Sequence, residues 1–220
     1  MMDTTETKAL TFLEELREQR WDDHRYYHRS YVNQSLHLLS GCCFLTTYAL
    51  IPVNPFAASI FGWVIAMWPR QIGHVFFEPR DYDEINDTTF AGKESIKVGF
   101  NLKRKLCLFL TWLSIPLILR ASPSFLGALA PWTDTTTYLH SLGLLWICLG
   151  VAAVFARSLW LCATRNVQTG VVWATKIVTD PLNDVSIYLK APGHLFRGEW
   201  LDPMEDVKAR RGSAPGRHDA

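Results

Sequence analysis

The chain has almost no net charge: 22 lysines and arginines face 21 aspartates and glutamates, leaving +1 with histidine neutral. Such a balance lacks the overall attraction that a nucleic-acid partner requires, so none is expected. No CxxC pair occurs, and the five cysteines (Cys42, Cys43, Cys107, Cys148, Cys162) are odd in number. All five fall inside apolar stretches, which predicts buried thiols rather than a disulfide framework or a zinc site. The opening Met-Met-Asp-Thr-Thr-Glu lacks a basic segment followed by an apolar core, so a cleaved signal peptide is not expected. Internal repeats are also missing. What the sequence does have is segregation: its apolar residues come in blocks, and nearly all of its charge lies between them.

The blocks predict an all-α fold, a polytopic membrane four-helix bundle with an N-terminal amphipathic helix and C-terminal interfacial helices. Spans are expected over about 36–52, 55–77, 105–120 and 139–163, within one helical domain covering 1–204. Two of the four apolar blocks are shorter than the roughly 20 residues a span needs. Polar residues facing the bundle interior would complete them. Residues 3–20 read as the amphipathic helix, opened by an Asp3-Thr-Thr-Glu6 capping box and carrying Leu10, Leu13 and Leu16 at helical spacing. Beyond the last span, 167–178 and 181–190 read as two amphipathic helices. Asp180 caps the second and Pro181 occupies its first turn. Phe196, Trp200 and Leu201 suit a membrane surface, and 205–220 has the composition of a disordered tail.

The basic residues give an orientation. Five lie before Leu36, none in the turn at 52–55, seven in 69–105, one in 120–138 and eight beyond 164. The positive-inside rule then places both termini and the 69–105 connection in the cytoplasm. That connection holds an Asn86-Asp-Thr sequon, which a cytoplasmic location would leave silent. Arg157, within the fourth span and near its cytoplasmic end, is expected to snorkel. A soluble all-helical protein with very apolar core helices is the alternative.

Four of the seven histidines lie in His24–His37 and Gln71–Glu78, on either side of the first apolar hairpin. If both arms of that hairpin cross a bilayer, His37 and His74 return to the same side at similar depth. Gathered there, imidazoles suggest a metal site facing a lipid substrate. Gln71, His74 and Glu78 follow one another at three and four residues, so they share a helix face. Glu78 precedes Pro79 and would sit in the last turn, where its charge opposes the helix dipole unless a cation or arginine is near. An interhelical hydrogen-bond cluster, or a Glu78–Arg80 surface pair, would use the same residues. Asn33 and His37 also share a face. His28 and His37, however, are nine apart, about 180° on a straight helix, so one ion can hold both only if the helix breaks between them. Arg29-Ser30-Tyr31-Val32 is the available break, with Ser30 or Asn33 as the N-cap. His140 opens the fourth span on the opposite side and is assigned a structural role. His194 falls in an interfacial loop and His218 in the tail.

Taken together, Tyr27-His28, Asn33, His37, the apolar hairpin, Gly73-His74 and Phe77-Glu78 resemble a family of small multi-span membrane 2-hydroxy fatty acid dioxygenases. Its fungal member metabolises phytosphingosine to odd-numbered fatty acids. The resemblance covers roughly residues 20–120. It implies an Fe(II)-dependent enzyme that shortens a 2-hydroxy fatty acid by one carbon through α-oxidation, with the fatty acyl substrate, O₂ and membrane lipid as partners. It also implies that His28, His37 and His74 are the iron-binding or catalytic histidines, with Asn33 and Glu78 beside them; Gln71 joins these two as a catalytic candidate only through the helix face it shares with His74. The chain departs from the fungal pattern at Arg29, where a second histidine is replaced, in the stretch after Glu78, and in its extension over about 165–203.

The residue types agree with that chemistry. Iron(II) held by three histidines, or by two and a carboxylate, keeps open coordination positions. Arg29 or Arg70 could meet a substrate carboxylate at the interface. Two alternatives stand. One is a di-metal lipid hydroxylase, which normally needs more histidines than cluster here. The other is a non-catalytic membrane scaffold or lipid-binding protein, whose polar residues tie helix ends together.

Overall fold

A computed structural model describes residues 10–96 and 102–213. The described residues are helical and contain no strand. The expected capping box at Asp3–Glu6 lies outside them. The first observed helix, α1 (Phe12–Tyr27), is instead opened by Thr11, whose side chain accepts from Glu14 N–H while Glu14 reaches back to the Thr11 N–H. It runs past the expected end at residue 20 and stops at His28, the C-cap.

Next comes α2 (Tyr31–Leu50), then the turn at 51–54, then α3 (Pro55–Ile60). Asn54 caps α3 by accepting from Ala57 N–H at 3.0 Å, and Pro55 occupies its first turn. A π-helical turn (Phe61–Ala66) joins α3 to α4 (Met67–Phe76) without interrupting the rod. It lies just upstream of Pro69, which cannot donate to the helix ladder, and the wider turn accommodates that missing bond. The rod over 55–76 returns along α2, as expected of a hairpin. Helix α5 (Phe90–Ile96) follows a loop pinned by Lys93–Asp83 at 2.7 Å and by Asn86 Nδ2 donating to Arg25 O at 3.0 Å. There, hydrogen bonds from Lys93 and Asn86 hold the Asp83 carboxyl below its usual value, overcoming the opposing effect of burial.

Two long apolar helices follow, α6 (Leu102–Ala121) and α7 (Thr135–Thr164). Among the described residues, α7 is the one helix long and apolar enough to cross a membrane, and Leu106–Ala121 forms a shorter apolar helix. An apolar core joins α6, α7 and the α3 rod: Ile115, Leu119, Leu142 and Trp146 are buried, with Phe56, Trp63, Trp112 and Trp132 packed around them. Trp112 and Trp146 stack at 4.8 Å. Arg157 lies over the Trp160 ring at 4.2 Å.

Several expectations are corrected in the C-terminal third. The predicted pair of amphipathic helices is a single helix, α8 (Val167–Tyr188), which runs through Pro181. One lost donor does not end a helix whose neighbours hold it in place. One face of this helix is buried, while Val171, Val178 and Leu182 on another are exposed. It runs antiparallel along α2, with Tyr188 packed by Tyr31, Asp184 by His37 and Pro181 by Gly41. A Cβ on Gly41 would stand 2.9 Å from the Pro181 carbonyl oxygen, so glycine permits this crossing. Next, α9 (Ala191–Phe196) carries His194, which stacks on Tyr31 at 4.2 Å rather than occupying a loop. The expected tail begins with a helix, α10 (Glu205–Ser213). The cysteines are also less buried than expected: Cys43 is buried, Cys162 is intermediate, and Cys42, Cys107 and Cys148 are exposed, all as free thiols.

Candidate metal centre

The break between α1 and α2 builds the site. The 28–30 segment leaves helical geometry, with Ser30 extended as the N-cap of α2. Two buried amides of α2 hold the break from behind. Asn33 Nδ2 donates to Tyr27 O at 2.7 Å, and Gln34 Nε2 donates to His28 O and to Asp202 Oδ2, both at 2.8 Å. The chain therefore turns, and His28 faces His37 despite the nine-residue spacing. Asn33, expected beside the metal as a catalytic group, holds the backbone that carries His28.

The third histidine comes from α4. Gly73 lets α4 approach α2, because a Cβ there would lie 2.0 Å from Asn33 Oδ1. His74 is thereby brought level with His37, as the hairpin arithmetic predicts. The Nε2 atoms of His28 and His37 are 3.1 Å apart, and those of His37 and His74 are 3.2 Å apart. His28, His37 and His74 can each offer a nitrogen within 4.8 Å of the others. Two imidazole nitrogens on one ion, with bonds of about 2.1 Å, stand about 3.0–3.4 Å apart at ordinary coordination angles. The observed spacing fits that value.

Carboxylates stand behind two of the rings. His74 Nδ1 lies 3.2 Å from Glu78 Oε2. His37 Nδ1 lies 3.5 Å from Asp184 Oδ2, within ion-pair range but not hydrogen-bonded to it in this geometry, so a small shift is needed to close the contact. An imidazole that gives its Nδ1–H to a carboxylate keeps its lone pair on Nε2. In that tautomer of both rings two lone pairs meet near the His28 ring, which favours a cation between them; in the other tautomers the same contacts are ring-to-ring hydrogen bonds. His28 is itself 5 % exposed, and its Nδ1 has no hydrogen-bond partner among the described residues. Burial holds this imidazole well below its usual pKa, and the neighbouring His37 and His74 rings add to the effect. A neutral imidazole is the form that binds metal.

Glu78 departs from its expected place. Helix α4 ends at Phe76, so Glu78 lies beyond the last turn and folds back on His74. It therefore stands behind the His74 ring, not among the converging nitrogens. Gln71 is half-buried on α4, three residues before His74. The two arginines expected to meet substrate differ. Arg70 is already ion-paired with Asp184. Arg29 lies in the break, where its carbonyl accepts from Asp202 N–H at 2.8 Å. His24 lies outside the cluster and contacts Tyr188 Oη at 3.3 Å. His140 is exposed near the start of α7.

Two members of the site went unnoticed in the sequence, Asp184 and Tyr188. Both are buried, and the Tyr188 ring lies 5.4 Å from His28 and 6.2 Å from His37. A signal was present: Lys176, Asp180, Asp184 and Tyr188 recur every four residues, a polar stripe along one side of the helix. Compared with protein-family models, curated proteins and solved structures, the chain matches none.

Proposed function

We propose that the chain is an integral membrane Fe(II)-dependent dioxygenase that converts 2-hydroxy fatty acids to the acid one carbon shorter. The observation that carries this reading is the convergence of His28, His37 and His74 Nε2 atoms, with carboxylates behind His37 and His74. His28, His37 and His74 would hold the iron. Bound there, iron would supply the redox chemistry with O₂ that this oxidation needs. The chain's own residues do the rest: Asn33 and Gln34 fix the break that aims His28, and Glu78 orients His74. Arg29, in the break, would supply positive charge suited to a carboxylate, whereas Arg70 is committed to Asp184. The residue resemblance noted above points to the same substrate class.

Membrane placement is supported by the outward apolar surface. Leu106, Leu110, Leu113 and Leu117 on α6, and Val151, Phe155 and Leu159 on α7, are all exposed. Stripes of that length are costly in water and ordinary in lipid. We take α2, the α3–α4 rod, α6 and α7 as four spans, with both termini cytoplasmic according to the basic-residue pattern. Reporter fusions after Ala121 and at the C-terminus should then report opposite sides, and the same side for both would sink this topology.

The functional test starts from protein purified in detergent without oxygen. A single iron per chain is expected, together with turnover of a 2-hydroxy acid. Two metals per chain would favour the lipid hydroxylase. Alanine at His37 or His74 should lower iron content and turnover together, and His140→Ala should lower neither. Protein that binds no iron, in cells that process 2-hydroxy acids normally after His74→Ala, would shift the assignment to a membrane scaffold.

A further inference from the structure

Helix α8 lies outside the region of resemblance, yet it reaches the histidines. Its polar stripe is anchored at one end by α1. Lys176 Nζ pairs with Asp180 at 2.6 Å and with Asp23, while Arg20 bonds Asp180 at 3.3 Å and Thr179 Oγ1 at 2.6 Å. Gly41 then lets the helix lie close against α2. One turn beyond Asp180, Asp184 is 7 % exposed, and its Oδ2 faces both His37 Nδ1 and the Arg70 guanidinium. A carboxylate buried this deeply is costly unless its oxygens are matched. Here the matching groups are a histidine of the cluster and an arginine one turn from another, His74.

We propose that Asp184 is a positioning residue of the metal centre. Its carboxylate faces Nδ1 of His37 and thereby directs the Nε2 lone pair toward His28 and His74. The inference rests on the metal reading above. It makes the C-terminal extension a wall of the site rather than a surface attachment.

The test compares two aspartates on the same helix. Asp180 and Asp184 are similarly buried, but only Asp184 lies against a cluster histidine. Full-length protein in detergent is titrated with cobalt(II), read by its d–d absorption, and the metal-free protein is melted in parallel. Asp184→Asn should weaken cobalt binding by about 10–100-fold, the usual effect of losing a carboxylate behind a ligating histidine. Asp180→Asn should lower the melting temperature and leave cobalt affinity unchanged. If Asp184→Asn alone does not fold, the Arg70→Gln/Asp184→Asn double variant removes both charges and leaves none unpaired. It should show the same loss. Wild-type affinity in either Asp184 variant, or an equal loss in Asp180→Asn, would overturn the proposal while leaving the metal centre intact. A wild-type chain that binds no cobalt would instead overturn the metal reading on which it rests.

Discussion

At the end of the bundle where α3 meets α7, three indole nitrogens are each matched with a carbonyl nearby. Trp63 Nε1 donates to Trp146 O at 3.0 Å, Trp146 Nε1 to Trp112 O at 2.9 Å, and Trp132 Nε1 to Leu119 O at 3.1 Å. Ser59 Oγ donates to Gly143 O at 2.8 Å. At the other end, three imidazoles point their Nε2 atoms at one another, and carboxylates occupy the reverse sides of two. Both ends bury polar atoms among apolar helices. The aromatic end closes most of its hydrogen bonds, as a structural core should, with Trp112 Nε1 the exception among the described residues. The histidine end instead sets ring nitrogens against ring nitrogens, and with His37 and His74 protonated on Nδ1 their Nε2 acceptors face inward, an arrangement that gains from a cation. That contrast is the physical basis for locating function at one end and stability at the other.

The largest effect expected is at the aromatic end. Trp146→Ala removes a ring that is 5 % exposed and stacked on Trp112, and should cost about 3–5 kcal/mol of stability. If the two ends are independent, cobalt affinity measured on the surviving folded fraction will not change. A parallel loss of affinity would join the ends into one unit.

Metal should act in the opposite sense. At 100 times its dissociation constant a metal ion stabilises a folded protein by about 2.7 kcal/mol. The wild-type melting temperature should therefore rise on adding cobalt, whereas that of His37→Ala should not. An equal rise in both would place the ion elsewhere.

Gly73→Ala affects the spacing between α2 and α4. The new methyl would meet Asn33 Oδ1, and overpacking of this kind costs about 1–3 kcal/mol. Because Asn33 holds the break and Gly73 adjoins His74, cobalt affinity should fall as well. Loss of stability with full affinity would show that the two histidine-bearing helices move together.

The smallest effect concerns pH. The folded His28 lies well below the ordinary value of 6.5. Below that ordinary value the unfolded chain binds a proton that the folded chain does not. The contribution of His28 to stability is therefore complete above about pH 6.5 and is lost as pH falls toward the folded value. Metal-free protein should melt at a lower temperature at pH 5.5 than at pH 7.5, and the difference should shrink in His28→Gln. No such shrinkage would place the pH sensitivity outside the histidine end.

Much of this was legible in the sequence because it depends on local periodicity. The apolar blocks announced α2, the α3–α4 rod, α6 and α7. The nine-residue spacing from His28 to His37 required a break, and it falls at 28–30 with Ser30 as the extended N-cap. The hairpin arithmetic set His37 and His74 at one level, where the Nε2 atoms stand 3.2 Å apart. Other features failed for identifiable reasons. Asp180-Pro181 read as a helix start because a proline usually is one, yet packing against α2 carries α8 through it. Glu78 read as the end of a helix because only its neighbours in sequence were visible, while its partner required α4 to stop at Phe76.

The sequence by itself determined α2, the α3–α4 rod, α6 and α7, the break and the three imidazoles, since these follow from residue spacing along one or two adjacent segments. Only the tertiary structure decided what stands behind the imidazoles. Asp184 is 147 positions after His37 in the chain, and no periodicity links residues so far apart. Their meeting depends on α8 crossing α2 at Gly41, where the absence of a side chain lets the two backbones come close.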